Sequence, residues 1–69
     1  AIPVSSTGGS LSLTPQWFSS STGTLTVAGD LDLNGSALLV RSGDLVVSGA
    51  VKGSGIVLVD GNIDIGDGD

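Results

Sequence analysis

Asp60, Asn62 and Asp64 alternate in the stretch "DGNIDIGDGD" near the end of the chain, and oxygen ligands spaced in this way are what a calcium loop offers. The match is partial. Ile65 stands where a calcium loop places glycine, and no distal Glu follows. A solvated acidic end competes with a Ca²⁺ site shared between subunits. Other chemistry has fewer candidates. The chain contains neither His nor Cys, so the commonest zinc ligand, thiolate metal sites and disulfides are all excluded. Serines are plentiful, but without His they lack the usual base, and Lys52 is the only amine side chain, set in a Gly-Ser-rich bend. Asp30 and Asp32 share one face of an extended segment, where two solvated carboxylates are expected rather than an acid–base pair. "GSG" at 53–55 lacks the Lys and helix of a phosphate loop. The sequence therefore predicts a protein that is not an enzyme and that holds no cofactor, Ca²⁺ being the one ion considered.

Charge narrows the partners. The net charge of −5 comes from seven Asp against Arg41 and Lys52. Two cations are too few for phosphate neutralisation, so neither nucleic acid nor an anionic membrane is expected as a partner. The longest apolar runs, 37–40 and 56–59, fall far short of the ~20 residues a spanning helix needs. No basic-then-apolar leader is visible. The chain starts Ala-Ile-Pro-Val and contains no Met, which fits a short reading frame trimmed of its initiator or a processed fragment.

The elements that would position any site follow a simple rule. Glycines fall at 23, 29 and 35, then at 43, 49, 55 and 61. Two and four residues after each lie Leu25/Val27, Leu31/Leu33, Ala37/Leu39, Leu45/Val47, Val51/Gly53, Val57/Val59 and Ile63/Ile65. All but Gly53 are apolar, the period-2 signature of strands with one buried face. The longer unit, Gly35 to Ser42, adds two residues, so parity is expected to hold throughout. The predicted fold class is all-β: short Gly-punctuated strands in a small β-solenoid or a β-meander, over residues 23–69. Residues 1–22, rich in Ser, Thr and Gly, are expected as an extended arm; a flexible tail, or Trp17 or Phe18 capping the chain's own core, are the alternatives.

"GTLTVAGDLDLNG" and "GDLVVSGAVKGSGIVLVDGNIDIG" resemble the repeats of β-helical bacterial adhesin and autotransporter passengers, of phage fibre proteins and of polymer-forming bactofilins. The resemblance is one of repeat type over about two-thirds of the chain. It implies a structural or surface role and carries over no functional residue. The hexapeptide acyltransferase repeat fits less well, because there Gly or an acidic residue directly follows the inward aliphatic.

The outward positions sharpen this expectation. Thr24/Thr26, Asp30/Asp32 and Asn62/Asp64 are polar, but Leu38, Val46, Ile56 and Leu58 are not, and Val40 is read with them. "GIVLVDG" is thus apolar on both faces, as strands buried on both sides are. Either residues 1–22 cover it or another chain does. Trp17, Phe18, Leu38, Val46, Ile56 and Leu58 are the expected subunit or partner contacts, aromatics being favoured anchors. The expected role is a self-associating homo-oligomer, a trimer favoured, that decorates or cements a larger assembly such as a phage capsid shell at the virion surface. A stalk fragment of an extracellular adhesin or fibre and a filament-forming scaffold are the alternatives.

Overall fold

The computed structural model describes residues 1–21 and 23–66. Within them the chain forms ten strands: β1 (Ile2–Val4), β2 (Leu11–Ser12), β3 (Trp17–Ser20), β4 (Leu25–Val27), β5 (Leu31–Asp32), β6 (Ala37–Val40), β7 (Leu45–Val47), β8 (Val51–Lys52), β9 (Ile56–Val59) and β10 (Ile63–Ile65). They fall into three sheets, ordered β1-β3-β6-β9, β4-β7-β10 and β2-β5-β8. Every strand pair is parallel. A meander would pair its strands antiparallel, so the fold is the solenoid: a three-sided β-solenoid of about 3 turns. Each sheet forms one side. The two middle turns place one short strand on every side, and in the first turn the isolated bridge of Thr7 to Val27 takes the place of a strand.

The registers show the winding directly. Trp17 pairs with Ala37, Leu25 with Leu45 and Leu31 with Val51, each an offset of 20 residues. The last turn is tighter, since Ala37 pairs with Ile56 (an offset of 19) and Leu45 with Ile63 (18). In-register parallel pairing stacks like on like. Leu25, Leu45 and Ile63 form one inward ladder, Val27, Val47 and Ile65 a second, and Leu11, Leu31 and Val51 a third. The core is Leu13, Leu25, Val27, Leu31, Leu33, Leu38, Val40, Leu45 and Val47. Burying each such side chain contributes about 1.5–3 kcal/mol.

Of residues 1–22, expected as an extended arm, those described wind within the same solenoid. β1 pairs with β3, Thr7 bridges to Val27 and β2 pairs with β5. The boundary expected at residue 23 falls between β3 and β4 of one turn. The Ser-rich composition has a specific use here. Ser6 Oγ accepts from the Thr26 amide at 2.9 Å and Ser10 Oγ from the Asp30 amide at 3.1 Å, so hydroxyls tie the first turn to the second where apolar contact is sparse.

One stretch departs from the expected parity. Inward positions run Leu31, Leu33, then Ser36, Leu38 and Val40, then Leu45 and Val47. The step from Leu33 to Ser36 is odd, and so is the step from Val40 to Leu45. Asn34 (φ 50°) and Gly35 (φ 85°) both lie in the left-handed region, and the Ser36 amide donates to the Leu33 carbonyl at 2.9 Å. This is a two-residue turn of the type that favours Asn-Gly. It flips the facing of β6, and Ser42 (φ 60°) with Gly43 flips it back. Leu38 and Val40, expected outward, are therefore core, with 0% and 1% of their surface exposed, while Ala37 and Leu39 face out.

Candidate functional site

The side built from β1, β3, β6 and β9 presents a face unlike the other two. Parallel register places Trp17, Ala37 and Ile56 in one outward row, and Pro3, Ser19, Leu39 and Leu58 in the next. Trp17, Ile56 and Leu58 are 58%, 55% and 54% exposed. No charged residue occurs in these four strands, although the chain carries −5. At the edge of the face, Pro15, Gln16, Trp17, Gly35, Ala37 and Ile56 line a shallow groove of about 310 Å³. Scattered exposed aliphatics are ordinary on a protein surface, but a contiguous uncharged sheet face is not.

Of the contacts expected from sequence, the structure brings Trp17, Ile56 and Leu58 onto this one face. Phe18 turns inward and packs, half-buried, against the core. Leu38 lies beneath the face rather than on it. Val46 faces outward on the β4-β7-β10 side, in register between Thr26 and Asp64, and is half-buried. Ala37 and Leu39 were not read from the sequence as part of the face. The signal that finds them is the Asn34-Gly35 dipeptide, whose turn shifts every following side chain by one position.

The carboxylates work at the corners. Asp30 Oδ1 accepts from the Ala50 amide at 3.0 Å and Asp44 Oδ1 from the Asn62 amide at 2.9 Å. Asp60 Oδ2 accepts from the Ser42 amide at 3.1 Å, and Thr24 Oγ1 from the Asp44 amide at 3.1 Å. Corner amides left without a strand partner thus bond to a side chain of the neighbouring turn. Asp30 also meets Lys52 Nζ at 3.1 Å. The Ala50 amide, and after it the Lys52 ammonium, holds the Asp30 carboxyl below the usual carboxylate value. Asp30 and Asp32 are separated in role: one caps a corner and the other faces out on β5. Asp60, Asn62 and Asp64 are likewise separated in role. Asp60 is bonded to Ser42, the Asn62 amide to Asp44, and Asp64 is exposed on β10. Among the described residues no three acidic side chains are grouped as a cation site.

Comparison of the chain with family models, with curated proteins and with solved structures finds no match. Its parallel β-solenoid is of the repeat type that the Gly-punctuated sequence resembles.

Proposed function

We propose that this chain is a structural, self-associating assembly protein: a small solenoid subunit that decorates or cements a larger protein assembly. A phage capsid or a similar particle is the kind of surface we have in mind, with the virion exterior as its location. The observation that carries the reading is the uncharged outward face of Trp17, Ala37, Leu39, Ile56 and Leu58. Association of a molecule with charge −5 is opposed by its own field. The face free of carboxylates is where a neighbour meets least repulsion and covers most apolar area.

Trp17 is the only Trp and stands more than half exposed on that face, so it reports coverage directly. On assembly its fluorescence emission shifts to the blue. Emission that stays at the solvent-exposed maximum, in material that light scattering shows to be assembled into large particles, would remove the face from the interface. Ile56→Asp places a charge on this face and abolishes the shift while leaving the circular dichroism of the fold unchanged.

A stalk segment of an extracellular fibre or adhesin is the second reading. It is favoured by one observation: the inward ladders run to both ends of the described chain, leaving Ile2 41% and Ile63 53% exposed. Further turns, from the same chain or another, would cover them. In such a fibre Trp17 stays exposed while the ends are buried.

A further inference from the structure

The two ends of the solenoid differ as strand edges, and the difference selects a partner. In a strand, the amide and carbonyl of one residue point to the same neighbour and those of the next residue to the opposite one. The Val4 carbonyl accepts from the Ser21 amide, so Ile2 and Val4 face the second turn and Pro3 faces the open end. Pro3 has no N–H, which removes the central edge donor of β1 and blunts that end against strand addition. At the opposite end, Ile56 and Asp60 donate their amides back to Ser36 and Val40. Val57 and Val59 therefore face forward. By the same alternation Ile63 and Ile65 of β10, and Val51 and Gly53 beside β8, face forward as well. Among the described residues no strand pairs with this edge. It carries neither Pro nor charge along β9, and it exposes the half-buried core residues Val51, Val57, Val59 and Ile65.

We propose that this end binds the same end of a second copy, giving a closed twofold dimer in which β9 pairs antiparallel with the partner's β9. The inference rests on the self-association proposed above. The winding itself supplies the fit. The last three strands, β8, β9 and β10, climb like steps of a spiral stair, one on each side. A twofold axis through the middle step, normal to its sheet, exchanges the first and last. It sets β9 on the partner's β9 and β10 on the partner's β8, each one strand spacing apart. The chain is spaced symmetrically for this. Three residues, 53–55, separate β8 from β9, and three, 60–62, separate β9 from β10. With Leu58 on the axis, Val57 exchanges hydrogen bonds with the partner's Val59. Ile63, Asp64 and Ile65 then stand opposite the partner's Gly53, Lys52 and Val51. Forward-facing backbone meets forward-facing backbone at every pair, and inward side chains meet inward ones.

The register also places opposite charges together. Lys52 is the only lysine. It reaches Asp30 within its own chain and remains 60% exposed. In the dimer it stands across from the partner's Asp64, and the pair occurs twice. An isologous contact of this kind closes on itself, whereas head-to-tail stacking onto the blunted β1 end would run on as a fibre.

Single cysteines test the geometry, since the chain has none of its own. Leu58→Cys lies on the axis, at a non-hydrogen-bonded antiparallel pair with Cα atoms ~4.5 Å apart, within disulfide reach. Leu39→Cys lies one turn inward on the same outward face, roughly 14 Å from its mate in this dimer and beyond reach. Oxidation is expected to link Leu58→Cys and not Leu39→Cys. Trp17 emission stays unchanged in this dimer, which leaves the apolar face open, and shifts only when larger assemblies cover that face. Asp64→Lys is expected to weaken the dimer roughly tenfold, because two like-charged pairs replace two opposite ones. Lys52→Asp combined with Asp64→Lys restores it. Leu39→Cys linking as readily as Leu58→Cys would overturn the end-to-end dimer in favour of packing through the apolar face. Self-association of the native chain without Leu58→Cys linkage would overturn the dimer and leave self-association standing. A native chain that sediments as a monomer at every concentration would overturn both.

Discussion

Single side chains at the corners hold the turns of this solenoid in place, and Asp30 shows how. Its carboxylate bonds to the Ala50 amide and to Lys52, and both interactions favour the ionised form over the protonated one. The folded-state value is depressed, so the stabilisation is fully present above the ordinary carboxylate range near pH ~4 and is lost as pH falls through the lowered value. Asp30→Asn removes that dependence. Its melting temperature, followed from neutral to acid pH, is expected to start lower than the native value and to fall less steeply. Gly43 has a different constraint. A Cβ there would press into the backbone of Gly23 and Thr24 on the neighbouring turn, so Gly43→Ala forces the coils apart. Overpacking of this kind costs about 1–3 kcal/mol, measurable by chemical denaturation. Ser36 faces inward just before β6, 2% exposed, and among the described residues its Oγ has no hydrogen-bond partner. Ser36→Ala is expected to leave stability unchanged or raise it, because a buried hydroxyl without a partner is a net cost.

At the scale of the strand, facing decides what a residue can do. Leu38 sits in the inward ladder between Phe18 and Val57. Leu38→Ala is expected to cost about 2–5 kcal/mol of stability, read from denaturant midpoints, with no direct effect on association. Alternation and glycine spacing in the sequence were enough to place Leu25, Val27, Leu31, Leu33, Leu45 and Val47 inward, because the corners between those strands keep an even count. They failed at β6. An eight-residue gap from Gly35 to Gly43 looks even, but it contains two odd steps that cancel, one at Asn34-Gly35 and one at Ser42-Gly43. The parallel winding was less legible than the strands. Short alternating segments serve meander and solenoid alike, and the 20-residue offset that separates the two fold classes is a relation between turns. Residues 1–22 were hardest to read. Part of their cohesion comes from hydroxyl-to-amide bonds, which leave no hydrophobic pattern, beside the strand pairing and the packing of Leu13 and Phe18. The apolar face was legible at Trp17, Ile56 and Leu58 and hidden at Ala37 and Leu39, for the same parity reason.

For the whole molecule, the balance lies between a charge of −5 that keeps copies apart and uncharged surface that draws them together. Added salt screens the first and leaves the second. Association measured by sedimentation is therefore expected to strengthen as NaCl rises through the range where the Debye length falls below ~10 Å. Weakening with salt would instead place ion pairs in control of the contact. The 20-residue offset through the middle of the solenoid has a further consequence, for length. Each step of 20 residues returns the chain to the same side, facing and ladder. A tandem copy of residues 31–50 inserted after residue 50 therefore enters as one more full turn. It lengthens the body by one strand spacing, ~4.8 Å, and alters no existing pairing partner except at the splice. In a gene that duplicates or loses such a segment, the protein changes height in fixed increments while its cross-section and both ends stay as they were.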